Sequence, residues 1–305
     1  MMIDLRDLFD AIIELPDLRA QRRYANLVGL DDTKERLQKE AEILVKPQLL
    51  KAWSTRHHGK LLVAAEQLQD RPPLFIFAGD VGTGKTTLAE TFGDPIARKH
   101  NIGVRVFRLS LRSRGSGAVG EMTQLLSAAF DHVVEKARGG ENAATILIVD
   151  EADALAQSRE LAQMHHEDRA GVNALIRGID QLTTERHPVL VVMGTNRLTA
   201  LDPAVRRRAA TEFAFDRPND QQRAAVLRAC LADAGITDEE IVHLVGLTGN
   251  NGRGYGYTYS DLVQRVVPAA ALAAYPNRPL TADLVVAAIE RHPPTKPFNE
   301  GPAEA

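Results

Sequence analysis

Four short, largely apolar runs stand out along the chain: LFIFA (74–78), VRVFRLSL (104–111), TILIVD (145–150) and VLVVMGT (189–195). Each is too short for a buried helix and mostly continuous rather than alternating, which is the pattern of a strand covered on both faces. Stretches with helical apolar spacing separate them at 85–100, 121–138 and 168–182. Strands alternating with helices predict an α/β fold, a parallel sheet with helices on both faces. TEFAF (211–215) completes five strands. Ahead of the first strand, the pattern predicts helices over 31–51, with Asp31 or Asp32 as N-cap, and over 60–69. Near the start, Ile3, Leu5, Leu8, Phe9, Ile12 and Ile13 recur at roughly helical spacing and predict an amphipathic helix over 3–14, ended by Pro16.

The character changes after Arg217-Pro218. Helical patterns at 219–234, 238–247, 259–275 and 281–291, with Gly or Pro between them, predict a small all-helical lid. The Pro-rich end 292–305 has little to bury and is expected to be disordered. The expected organisation is thus an N-terminal helix and linker (1–23), a large α/β domain (24–217), a lid (218–291) and a tail (292–305).

Composition narrows the function classes. The net charge of −3 argues against a strongly basic nucleic-acid binder. Cys230 is the only cysteine, which excludes an intramolecular disulfide and a Cys-based zinc site. No apolar run reaches membrane-spanning length, and the first residues lack a signal-peptide pattern. A soluble, cytoplasmic protein is expected, with no membrane partner.

Two motifs carry chemistry. GDVGTGKT (79–86) matches the phosphate-loop pattern in full and lies between a predicted strand and a predicted helix. Gly79, Gly82 and Gly84 let the backbone curl so that N–H groups, including those of Val81 and Thr83, point at phosphate oxygens. Lys85 supplies a point charge, Thr86 a hydroxyl for Mg²⁺, and Thr87 a further donor at the helix start. The second motif is ILIVDEAD (146–153). Its strand delivers Asp150 to the sheet edge where ligands bind in open α/β folds. Asp150 is the expected metal group and Glu151 the expected general base toward an attacking water. Asn196, in GTN (194–196), is a candidate partner for that water. Arg206, Arg207 and Arg208 follow in LDPAVRRRA (201–209), where a run of charge is either a solvated face or a source of transition-state stabilisation.

These motifs, in this order, resemble the AAA+ ATPases over about residues 24–290. The resemblance implies an ATP- and Mg²⁺-dependent ATPase assembled as a homohexameric ring. It places Val28 and Gly29 beside the base, Asn196 as a sensor, and Arg207 and Arg208 as fingers reaching a neighbour's nucleotide. It also implies a substrate pore loop at 114–122, with Ala118, Val119, Gly120 and Met122 as its candidate contacts, and a second central loop near Met164, His165 and His166. A second-sensor arginine is not evident; Arg253 and Arg265 are the nearest candidates. Within AAA+, the chain is most similar to the pachytene-checkpoint (thyroid-receptor-interactor) remodellers. Their bacterial relatives belong to cyclic-oligonucleotide anti-phage (CBASS) systems. That likeness implies a HORMA-domain protein as substrate and negative regulation of a second-messenger nucleotidyltransferase. The alternative is a nucleic-acid-associated motor or loader, favoured by the arginine run and by Arg105, Arg108, Arg112 and Arg114. The net charge makes nucleic acid the weaker expectation.

Overall fold

The computed structural model describes residues 8–110, 121–138, 143–152 and 166–298. The chain divides into two compact units. The first takes residues up to Tyr24, Asp32–Ala78 and Thr86–Ala214. The second takes Ala25–Asp31, Gly79–Lys85 and the chain from Phe215 onward.

The sheet of the first unit has six strands among the described residues: β1 (Phe9–Leu15), β2 (Leu74–Gly79), β3 (Gly103–Leu109), β4 (Ala143–Val149), β5 (Val189–Thr195) and β6 (Thr211–Phe215). Their order across the sheet is β1-β3-β4-β5-β2-β6. β3, β4, β5 and β2 run parallel to their neighbours, as the apolar runs predict. β5 is buried along its whole length. The continuous apolar sequence is explained by what covers it. On one face, Ile76, Leu147, Val149 and Val191 pack with Leu126, Phe130 and Val133 of a helix at Glu121–Arg138, and with Leu175 and Ile179 of a helix at His166–Glu185. On the other face, Phe77 meets Phe92, and Gly93 lies against Val104 and Ile146.

One expected helix is a strand. Residues 9–15 form β1, which pairs antiparallel with β3 and adds a sixth strand to the expected five. In FDAIIEL, Phe9, Ala11, Ile13 and Leu15 are apolar at period two, and burial alternates along the segment. The edge of β3 offers backbone partners to that alternation, and period two prevails over the looser helical spacing. Phe9 then stacks on Phe107 with ring centroids 4.8 Å apart, and Glu14 accepts from Arg105 at 2.6 Å. The expected helix 31–51 is two, α1 (Asp31–Val45) and α2 (Pro47–His58). Pro47 has no N–H for an internal helical bond and instead opens α2.

The helical segments of the second unit follow the predicted pattern. Asn219 and Thr237 form capping boxes with Gln222 and Glu240 at the starts of α3 (Asp220–Cys230) and α4 (Asp238–Leu247). A π-helical stretch at Asp261–Val266 leads into α5 (Val267–Ala274), and α6 (Ala282–Arg291) follows. Residues 292–298, expected to be disordered, are held in place: the Thr295 backbone and hydroxyl both donate to Asp261. Residues 299–305 lie outside the described part of the chain.

Candidate active site

The loop 79–85 follows β2 directly and belongs to the second unit. Gly79 (φ 155°) and Gly82 (φ 76°) sit in backbone conformations that side chains disfavour. Space excludes a side chain there as well. A Cβ on Gly79 would overlap the Phe215 carbonyl, and one on Gly82 would lie 2.8 Å from Thr258 Oγ1. The Ser260 N–H donates to the Gly82 carbonyl at 3.0 Å. Thr83 Oγ1 donates to the Asp80 carbonyl at 2.7 Å, and the Lys85 ammonium donates to the carbonyls of Gly79 (2.8 Å) and Asp80 (2.7 Å). Thr83 and Lys85 are buried, whereas Val81 faces solvent. Such a curl of glycines with an ammonium at its mouth suits a polyphosphate.

Val28 and Gly29 are half-buried in the same unit. The Gly29 carbonyl accepts from Gln222 Nε2 at 2.6 Å and Tyr259 Oη at 3.4 Å. Burial, aided by Asp31, pushes the Tyr259 hydroxyl up to about 12, so it remains a donor at neutral pH.

In the first unit, Thr86 and Thr87 open the helix that continues from the loop. Thr86 Oγ1 donates to Asp150 Oδ2 at 2.8 Å. Asp150 Oδ1 accepts from the Glu151 N–H at 3.0 Å. A hydroxyl and a carboxylate in contact are the hard oxygen donors that Mg²⁺ prefers, so these residues fit the implied ion. Glu151 is exposed and has a positive φ of 50°, a conformation that non-glycine residues adopt sparingly and that recurs at functional sites. Gly194, at the end of β5, explains how the Asp150 carboxylate fits: a Cβ there would lie 2.6 Å from Asp150 Oδ1. Sequence reading missed Gly194 as a site residue, although it stands in the GTN that marked Asn196. Asn196 is half-buried one residue beyond the strand.

The three arginines are not equivalent. Asp202 caps the short helix Pro203–Arg206, accepting from the Ala204 N–H at 2.8 Å. Arg206 pairs with Glu212 at 3.1 Å. Arg208 makes a two-pronged bond to Asp180, at 2.6 and 2.9 Å, and donates to the Ala204 carbonyl. Arg207, between them, is exposed. Arg105 and Arg108 pair with Glu14 and Glu90. Much of the basic character that favoured a nucleic-acid track is therefore neutralised internally.

Ala118, Val119 and Gly120 lie outside the described residues, as do Arg112, Arg114, Met164 and His165. Met122 falls on the helix Glu121–Arg138 rather than in a loop and packs half-buried against the core. Neither candidate second sensor is directed at the phosphate loop. Arg265 donates to Asp261 (2.8 Å), and Arg253 donates to the Gly249 carbonyl (2.8 Å).

Residues 75–217 match the family described as "ATPase family associated with various cellular activities (AAA)". Over 301 residues the chain is 48% identical to CD-NTase-associated protein 6 of Escherichia coli (strain MS 115-1), covering 96% of this chain and 97% of that one. A chain in the structure of the E. coli MS115-1 HORMA:CdnC:Trip13 complex superposes with a TM-score of 0.92 at 47% identity, over 98% of this chain and all of that one (100%). The structure of Rhizobiales Trip13 gives 0.77 at 44% identity, over 95% of this chain and 100% of that one. Similarity of this degree across nearly the whole length, with the phosphate loop and the acidic pair in place, means that the chain belongs to the AAA ATPases, in the group of the CD-NTase-associated protein 6 sequences.

Proposed function

We propose that this ATPase is an ATP-driven remodeller that partly unfolds or disassembles a HORMA-domain protein complex, and so restrains a nucleotidyltransferase that makes a second messenger in anti-phage defence. The observation that carries this reading is the likeness, over 98% of the chain, to a chain of the HORMA:CdnC:Trip13 complex. In this reading the N–H groups of 79–86 cradle the phosphates of ATP, and Lys85 turns from the Gly79 and Asp80 carbonyls to meet them. Val28 and Gly29 border the base, and Thr87 adds a donor at the helix start. Thr86 and Asp150 hold Mg²⁺, which neutralises phosphate charge when bound. Glu151 takes the proton of the attacking water, and Asn196 orients that water.

A homohexameric ring completes the site with an arginine from the neighbouring copy. The ion pairs favour Arg207 for that task, because its exposed guanidinium has no internal bond to break. Arg208 is the positioning residue: its bond to Asp180 ties the short helix Pro203–Arg206 to the helix His166–Glu185. The pore loop at Ala118–Gly120 contacts substrate in this reading. It has no aromatic residue, so grip comes from backbone and from Val119.

The test is reconstitution. A purified HORMA protein bound to its closure peptide is mixed with this chain and ATP, and peptide release is followed by fluorescence anisotropy. Release with ATP, and none with a non-hydrolysable analogue, is expected. ATP turnover without release would reject the substrate assignment. Salt-sensitive stimulation of turnover by DNA or RNA would favour a nucleic-acid motor.

A further inference from the structure

We propose that the strap 292–298 is a positioning element of the phosphate loop, acting through Asp80. The proposal rests on the reading that the loop 79–86 holds nucleotide phosphates. The strap is anchored at its middle. The Thr295 N–H donates to Asp261 Oδ2 at 3.1 Å and its hydroxyl to Oδ1 at 2.6 Å. Arg265 donates to the same carboxylate at 2.8 Å and to the Pro293 carbonyl at 3.3 Å. Asp261 is almost fully buried, so this anchor is shielded from water. Three residues on, the Phe298 N–H donates to Asp80 Oδ1 at 3.2 Å.

Asp80 is a meeting point within the second unit. Its Oδ1 also accepts from the Val81 N–H at 2.8 Å, and its Oδ2 accepts from Arg217 Nε at 2.7 Å. Arg217 is fixed in turn by a 2.6 Å bond to the Gly256 carbonyl and by the Tyr255 ring, whose centroid lies 5.0 Å away. The backbone oxygen of Asp80 receives Thr83 and Lys85, both residues of the loop. Strap, lid arginine and loop therefore share one residue.

A carboxylate inside a loop that binds polyphosphate repels its ligand unless it is neutralised and held aside. Arg217 provides the opposing charge. The N–H groups of Val81 and Phe298 fix where the carboxylate lies. Freeing it costs more when phosphates are present than when they are absent. The strap contact thus has the difference between bound and free states that an effect on affinity requires, and it tightens nucleotide binding.

Phe298 lies outside helix and strand and follows Pro297, which allows a single-donor test in the full chain. Phe298→Pro removes the backbone N–H, whereas Phe298→Ala keeps it and removes only the ring. The readouts are the Kd and dissociation rate of a fluorescent N-methylanthraniloyl-ADP, with the melting temperature measured without nucleotide. The expected result is about fivefold weaker binding and faster release for Phe298→Pro, corresponding to loss of one hydrogen bond. Phe298→Ala binds as wild type, and melting is unchanged in both. Thr295→Val, which loosens the anchor, moves affinity the same way, and Thr295→Ser restores it. Equal Kd and release rate for the proline and alanine variants would overturn the proposal. Failure of the wild-type chain to bind the probe would overturn the phosphate-loop reading beneath it.

Discussion

Gly194→Ala tests the link between packing and chemistry with a single methyl group. Val149 of β4 pairs with Met193 of β5, so the next residues, Asp150 and Gly194, emerge side by side. Gly194 does not have a positive φ, so alanine meets no backbone strain and the effect is one of space. The new Cβ would stand 2.6 Å from Asp150 Oδ1. Carbon–oxygen contacts settle at about 3.3 Å or more, so the carboxylate retreats by about 0.7 Å. Asp150 Oδ2 now accepts from Thr86 Oγ1 at 2.8 Å. A retreat of that size stretches the bond to the edge of hydrogen-bonding range. A misplacement near 1 Å costs about 100-fold in rate, so turnover should fall roughly 10- to 100-fold. The Mg²⁺ concentration needed for half-maximal activity should rise. Overpacking adds a stability cost of about 1–3 kcal/mol. Nucleotide affinity without Mg²⁺ should change little, because the loop 79–85 keeps its own bonds. Phosphate release measured across a Mg²⁺ titration at saturating ATP, with a thermal melt alongside, gives the answer. A variant with wild-type turnover and wild-type Mg²⁺ dependence would refute the argument.

Other expectations follow from the ion pairs and the buried carboxylate. Arg207→Ala should lower turnover by roughly 10³-fold or more while leaving ATP binding intact, and mixing it with a Lys85→Ala variant in one ring should restore activity at mixed interfaces. Arg208→Lys keeps the charge and loses the two-pronged geometry, so it should give a smaller loss; an Arg208 variant more damaging than Arg207→Ala would exchange their roles. Burial alone would raise the Asp261 pKa, but bonds from the Thr295 hydroxyl and the N–H groups of Thr258 and Thr295 hold it below the ordinary value. A carboxylate lowered in this way adds stability above its unfolded pKa, about 3.9, and loses it as pH falls through the lower folded value. Asp261→Asn should therefore destabilise the helical unit at neutral pH and flatten its acid unfolding below about pH 4. Equal urea midpoints for the two proteins at pH 7 would contradict this.

Much of the site was legible because its chemistry depends on local sequence. A phosphate loop needs glycines at fixed spacing, and a buried parallel strand needs an unbroken apolar run, so Gly79, Lys85, Thr86, Asp150 and Glu151 were readable one after another. Other features depend on contacts that sequence does not display. FDAIIEL carries apolar residues at both periods, and only the open edge of β3 decides for a strand. Thr295 sits in a Pro-rich stretch that looks unstructured until Asp261, 34 residues earlier, supplies a buried acceptor. Likewise, three adjacent arginines look alike until Glu212 and Asp180 are found to engage Arg206 and Arg208. Gly194 had a faint signal, since a glycine that closes a buried strand leaves room for a neighbour, but the identity of that neighbour comes from the register.

The most direct measurement is ATP binding and turnover by Glu151→Gln in the same preparation. The account predicts wild-type ATP affinity with steady-state phosphate release reduced at least about 100-fold, and stable capture of the HORMA protein in the presence of ATP. Hydrolysis at the wild-type rate would place the base elsewhere and contradict the account at its centre.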